Sequence, residues 1–306
     1  MADIRIGISG WRYAPWRGDF YPKGLTQANE LAFASRAVRA IEINGSFYAL
    51  QAPDRYADWY AATPKGFKFS VKGPRYITHT RRLRDIEVPL ANFYASGVFQ
   101  LKEKLGPFLW QFPPNFRFDP ERFEAFLSQL PRTGAQAKAL AKGADARLHK
   151  PGYLDIPTRA KLRHAVEIRH ESFANEAFAQ MLRRQNVALV VADTAGKWPY
   201  AEDLTADFVY IRLHGDAKLY ESGYSDDALD RWQQRIACWS QGRQPADART
   251  LSKAKPRPRK GRDVFCFFDN DIKVRAPYDA RGLLRRLDLE GGLATTPGEP
   301  PAEDMW

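Results

Sequence analysis

With 306 residues, 44% apolar and 27% charged, the chain can bury one large core, and wholesale disorder is excluded. No apolar run nears the roughly 20 residues of a membrane span, the two cysteines (Cys238, Cys266) give neither a disulfide framework nor a metal-ligand spacing, and a strand pattern opens at Ile4 with no leader ahead of it; a cytoplasmic protein with no membrane partner is expected. The net charge of +11 suggests a polyanion until it is located: residues 131–163 hold eight Lys and Arg against two Asp, and residues 242–262 hold eight against one, so the rest of the chain is slightly acidic.

Strand-like runs alternate with helical patterns along the whole chain, which predicts repeated βα units and a parallel sheet. IRIGI from Ile4 leads into GWRYAPWRGDFYP, which lacks the glycine-rich nucleotide turn that an open doubly wound sheet would carry here. AIEIN from Ala40 follows, with its NGSFY loop, and then FKFSVK from Phe67. A helix is predicted over Pro89 to Leu105, with Leu90, Tyr94, Leu101 and Leu105 on one face, before PFLWQF from Pro107. After the first basic segment come AVEIRH from Ala165, ALVVAD from Ala188 and FVYIRLHG from Phe208. Ser225 with Asp226 and Asp227 starts a second helix to Trp239, since a hydroxyl caps free amides and acids suit the positive helix end. The second basic segment ends in KAKPRPRKGR, Lys253 to Arg262, which should be extended, solvated and mobile. DVFCFFDND from Asp263 is the last strand, and eight is the closing number. The expected fold is therefore a single-domain TIM-type (β/α)₈ barrel over residues 1–290, with a flexible Gly- and Pro-rich tail over 291–306. Both basic segments lie between a helix and the next strand, so they are expected on the amino-terminal face, either as solubilising insertions or as nucleic-acid-binding arms.

Catalysis in such barrels sits at the opposite, carboxyl-terminal face, where the last inward residues of each strand converge. Those residues are polar here. Strand two ends with Glu42 and Asn44, strand five with Glu167 and Arg169, and strand seven with Arg212 and His214; Lys72, Gln111 and Asp193 close strands three, four and six, and Asp269 or Asn270 closes strand eight. Inward charges without partners would cost several kcal/mol each, so the acids and bases should form a compensated network. His214 is the preferred acid or base, with Glu167 and Glu42 as alternatives. Trp11, Tyr13, Trp16, Phe47 and Tyr48 follow the first two strands and would form either a stacking wall for a flat ligand or a packed lid. His79, His170 and His214 lie at or beyond strand ends and, with Glu167 and Asp193, are the set that would hold a divalent ion; their dispersal and the lack of an HxxxH pair make a metal the lesser expectation, and no cofactor is expected. Glu42 and Glu167 come from strands separated by two others, which gives a paired-carboxylate glycosidase mechanism no support.

The runs GISGWRY, IEINGSFY, TPKGFKFSVKGPRYITH, LGPFLWQFPPNF, AVEIRHESF, FVYIRLHG and FFDND resemble the YecE-like family, domain of unknown function 72, from about Ile4 to Leu287. The resemblance implies a TIM-type barrel and supplies no reaction. Matching motif positions include Gly10, Trp11, Tyr13, Glu42, Asn44, Phe47, Tyr48, Lys72, His79, Gln111, Glu167, Arg169, His170, Arg212, His214 and Asn270. Asp269 stands where the family pattern usually has the first of two asparagines, and Phe173 where it has tryptophan; the former adds negative charge at the mouth. Residues and resemblance together predict an enzyme, a hydrolase or lyase, working by acid–base or electrostatic catalysis on an anionic or phosphate-bearing substrate held by Lys72, Arg169 and Arg212. The alternatives are a noncatalytic nucleic-acid binder using the basic segments and a scaffold with an ion-paired plug.

Overall fold

The computed structural model describes residues 2–148 and 152–301. Eight parallel strands close a barrel in sequence order: β1 (Ile4–Ser9), β2 (Ala40–Ile43), β3 (Lys68–Lys72), β4 (Leu105–Gln111), β5 (His164–Glu167), β6 (Ala188–Asp193), β7 (Phe208–Leu213) and β8 (Asp263–Phe268). All eight predicted runs are strands, and β8 returns to β1 through the register Ile4↔Val264 to Ile8↔Phe268. Around them lie α1 (Glu30–Ala37), the single turn α2 (Gly45–Tyr48), α3 (Pro53–Ala62), α4 (Glu87–Ala95), α5 (Pro120–Gln129), α6 (Gly134–Ala141), α7 (Glu176–Gln185), α8 (Asp226–Ser240) and α9 (Arg275–Arg286). No helix among the described residues is long and apolar enough to cross a membrane.

Strand alternation divides the apolar residues between two cores. Ala40, Leu109, Ala165, Ala188, Val190, Phe208, Tyr210, Phe265 and Phe267 fill the barrel interior. Ile6, Ile8, Ile41, Phe69, Trp110, Val166, Val191, Ile211 and Phe268 face outward and pack under the helices. Bulky Phe208 and Phe265 share the interior with alanines from β2, β5 and β6, so apolar side chains plug the barrel towards its base.

Four expectations change. The helix predicted over Pro89 to Leu105 is broken: α4 stops at Ala95, Gly97 takes φ +105 against Pro53, a 3₁₀ stretch covers Val98–Lys104, and Leu105 already belongs to β4. Leu and Tyr spacing alone could not see a left-handed glycine. Second, the first basic segment does not stay on the amino-terminal face. It forms α6, whose start is fixed by a Thr133–Gln136 capping box, and climbs beside α4, where Asn92 donates to Asp145 and Tyr153 N donates to Ala95 O; Arg147 ends beside Phe47, Tyr48 and Tyr76 at the mouth side. Third, residues 242–252 fill a vacancy, because β6 and β7 are joined by residues 194–207 without a helix. Buried Glu202 and Asp203 accept from the amides of Arg249, Leu251 and Ser252, while Arg183 of α7 and Arg235 of α8 clamp the same segment from either side. Arg262 is also buried and donates to the carbonyls of Gly242, Arg257 and Ala206, so it is a structural anchor and not part of a solvated arm. Fourth, the described part of the expected flexible tail is docked: Ala294 N and Thr295 N donate to Arg36 O, Thr295 Oγ1 donates to Phe33 O, and Gly298 N donates to Phe20 O. Residues 302–306 lie outside the described residues.

Candidate active site at the barrel mouth

Period-two alternation aims the last inward residues of six strands towards one another at the barrel mouth. Its centre is Arg212 of β7, which is fully buried. The guanidinium donates from Nε to Glu42 Oε2 at 3.2 Å, from Nη1 to Glu167 Oε2 at 2.6 Å, and from Nη2 to Glu42 Oε1 and Asp269 Oδ2, both at 2.8 Å. Ser9 Oγ accepts a further bond at 3.1 Å, donates to Glu42 and receives the Asn44 amide at 3.2 Å. Tyr210, one step deeper on β7, donates its hydroxyl to Glu42 Oε2 at 2.6 Å. Glu42 of β2 and Glu167 of β5, on strands separated by two others, thus meet across the barrel on one cation.

Electrostatics fix the charge states of this floor. Burial alone would raise the Glu167 carboxyl, but Arg169, Arg212, His214 and Lys72 together hold it well below the usual range. Asp269 is likewise held down, against its burial, chiefly by Arg212 and His214. The three carboxylates in turn push the Arg212 guanidinium well up. His214 is fully buried in the same floor: Nδ1 lies 3.0 Å from Asp269, and Nε2 lies 3.5 Å from Arg212 Nη1 and 3.9 Å from Glu167. Both ring nitrogens therefore face protein, which is not the position expected of the preferred acid or base. Arg212 differs from expectation too. Its donors are occupied by protein oxygens, so it braces the floor and does not present itself to an anion.

The rim is different. Lys72 ends β3 with 8% of its surface exposed, and its Nζ makes no hydrogen bond or ion pair among the described residues; it lies 4.3 Å above the Phe47 ring. Burial first, and Arg212 second, lower its ammonium to about 8, against the pull of the three carboxylates. Arg169 donates Nε to Glu167 Oε1 at 2.7 Å and stacks 3.9 Å from the Trp198 ring, which leaves both terminal nitrogens without a protein acceptor among the described residues. His79 packs edge-on against Phe47 at 5.1 Å, and its Nδ1 is 2.8 Å from Thr78 Oγ1. Burial, Lys72 and Arg169 lower it to about 4, so it is neutral near pH 7.

The remaining predicted residues scatter. Asn270 turns away from the network and donates to Ser222 O and Asp279; Asp269 is the strand-eight member of the floor. Gln111 is buried and donates to Phe112 O, His170 caps the turn at Ser172, and Asp193 accepts from Tyr224 on the α8 side. Among the described residues no three His, Cys, Asp or Glu side chains gather as metal ligands. Of the five expected rings, Trp16 is core, packed on Tyr13 and Phe20. Trp11, Tyr13 and Tyr48 line a cleft of about 340 Å³ beside the mouth with Trp59, Arg12 and Arg55, and Tyr48 is 71% exposed. Ser9 and Tyr210 escaped the prediction although each stands two residues from a predicted or inward position; Trp198 and Tyr220, whose rings flank His214, come from loops without any periodic signal.

Comparison with known proteins accords with this architecture. The chain is 25% identical over 256 residues to the UPF0759 protein YecE of Escherichia coli (strain K12), covering 79% of this chain and 84% of that one. It is 31% identical over 311 residues to the UPF0759 protein YunF of Bacillus subtilis (strain 168), covering 95% and 97%. A DUF72 family protein from Thermotoga maritima MSB8 superposes with a TM-score of 0.68 at 23% identity, covering 94% of this chain and 99% of that one. Another, from Enterococcus faecalis V583, superposes at 0.66 and 19% identity, covering 98% and 100%. Likeness at that identity speaks for the fold alone. Residues 5–304 match the family described as "Protein of unknown function DUF72", and the chain belongs to that family.

Proposed function

We propose that the mouth is the active site of an enzyme acting on a small anionic substrate, carboxylate- or phosphate-bearing, by electrostatic and acid–base catalysis. One observation carries this reading: above a floor whose charges satisfy one another, Lys72 and Arg169 keep donors that no group among the described residues accepts. An anion lying between them would supply the missing acceptors and would replace water with charge-assisted bonds in a half-enclosed space. It would also act on His79. Lys72 and Arg169 are the charges that, after burial, hold His79 low, so their neutralisation by substrate raises its basicity once substrate is in place. Lys72 and Arg169 therefore bind and orient, His79 moves the proton, and the Arg212 cluster holds the strand ends in position.

Inorganic pyrophosphate is a direct probe. Calorimetric titration at low salt should show one site, lost in Lys72→Met and weakened at least tenfold, about 1.4 kcal/mol, in Arg169→Met. Binding that survives Lys72→Met unchanged would end the proposal, as would the absence of any saturable site.

A further inference from the structure

Among the described residues two lysines are more than nine-tenths buried, and they are treated in opposite ways. Lys104 donates its three protons to Tyr60 O, Thr63 O and Thr63 Oγ1, at 2.7, 2.7 and 3.1 Å, which is how a fold keeps a buried ammonium charged. Lys72 has no acceptor among the described residues, and burial first and the Arg212 charge second disfavour its ammonium, against the pull of Glu42, Asp269 and Glu167. A site meant only to hold a permanent cation would resemble the Lys104 site. The Lys72 arrangement instead lowers the ammonium to about 8 and so keeps a share of free amine near neutral pH, which has a lone pair and is a nucleophile. Its surroundings suit that role. Lys72 and the neutral imidazole of His79 pack against the same Phe47 ring, and the Arg169 nitrogens that have no acceptor among the described residues supply an anion seat on the same rim.

We propose that Lys72 forms an imine with the carbonyl carbon of an aldehyde or ketone that carries a carboxylate or phosphate, the anionic group resting on Arg169. This deepens the reading above and rests on it for the anion seat. The Nζ lone pair adds to the carbonyl carbon, the C=O π bond breaks, and the oxygen takes a proton to give a carbinolamine. That first proton is one of the two that nitrogen carries, passed on by His79; His79 then takes the second from nitrogen and gives it to the hydroxyl, which leaves as water as the nitrogen lone pair closes the C=N bond. Amine and carbonyl give imine and water, with no change of oxidation state and no further reactant.

The test uses the full chain, limiting glyoxylate as the probe, borohydride to trap the imine, and peptide mass spectrometry to locate it. At pH 7.5, Lys72 should take the first equivalent of label roughly tenfold faster than any other lysine, because an exposed lysine with a pKa near 10.4 is almost wholly protonated there. Lys72→Arg should abolish that fast phase, since the nucleophile goes. Arg169→Met, with its thermal unfolding checked against wild type, should slow the labelling of Lys72 without stopping it. Label spread over surface lysines, with Lys72 unfavoured, would overturn the imine and leave the anion site standing if pyrophosphate still binds. Selective labelling without pyrophosphate binding would instead remove the anion reading and with it the assigned role of Arg169.

Discussion

The floor of the mouth and its rim are made of the same residue types, yet they obey different rules. In the floor, one guanidinium meets three carboxylates, a serine and a histidine, and each carboxylate has two or more partners. On the rim, an ammonium and two guanidinium nitrogens have none among the described residues. Buried charge that is fully matched fixes geometry, whereas buried charge left unmatched raises the energy of the empty protein and awaits something to match it. Strain of this kind marks function more sharply than the presence of charge does, because a plug and an active site share a composition and differ only in satisfaction.

The largest test removes the cation of the floor. Arg212→Met leaves three carboxylates facing one another and should destabilise the barrel by about 3–5 kcal/mol in urea unfolding. A loss below about 1 kcal/mol would mean that the network is incidental. Acid attacks the same cluster from its other side. Glu167 and Asp269 are ionised in the fold far below the pH at which they protonate when unfolded, near 4. Their contribution is complete above that value and is lost as pH falls through their folded values. Stability should therefore drop steeply below about pH 4, and Glu167→Gln should flatten that slope. A wild-type profile that is level down to pH 2 would contradict the assignment.

On the rim the sign reverses. Lys72 titrates near 8 in the fold and near 10.4 when unfolded, so below pH 8 its charged form costs stability. That cost fades as pH rises from 8 towards 10.4, because the unfolded chain then holds the extra proton. Lys72→Met should accordingly stabilise the protein at pH 7 by about 2 kcal/mol and remove the alkaline gain, as read by unfolding midpoints across that range. A destabilised Lys72→Met would place Lys72 with the floor and erase the distinction. Pyrophosphate, by matching Lys72, should raise the midpoint of wild type and leave that of Lys72→Met unmoved.

Much of this was legible in the sequence. Eight β-branched runs gave the barrel, and alternation gave Glu42, Lys72, Glu167, Arg169 and Arg212 as neighbours, because a two-residue period near a strand end admits only one inward direction. What the period could not give was satisfaction. Whether Arg212 faces carboxylates or a ligand depends on side chains from β1, β2, β5 and β8 whose relative heights follow from barrel shear, which no single strand encodes. Asn270 was misplaced for the same reason, since choosing between Asp269 and Asn270 requires knowing the residue at which β8 stops pointing inward. Trp198 and Tyr220 stayed invisible because loop residues carry no period at all.

The distinction between matched and unmatched charge extends to the basic segments, and there it predicts the smallest effect. Arg147, Lys161, Arg163 and Arg262, which lie in the segments read from sequence as either solubilising insertions or nucleic-acid-binding arms, are engaged with Asp145, Asp207, Asp263 and backbone carbonyls. Lys253, Lys255, Arg257, Arg259 and Lys260 are exposed and form no ion pair among the described residues. They differ from Lys72 in that water already solvates them, so nothing is stored by leaving them unmatched. Replacing these five by serine should shift stability by no more than about 0.5 kcal/mol and leave pyrophosphate binding at the mouth unchanged at physiological salt. A larger loss of stability would show the run to be anchored along its length like Arg262, and a weakened mouth site would show that the segment reaches the rim.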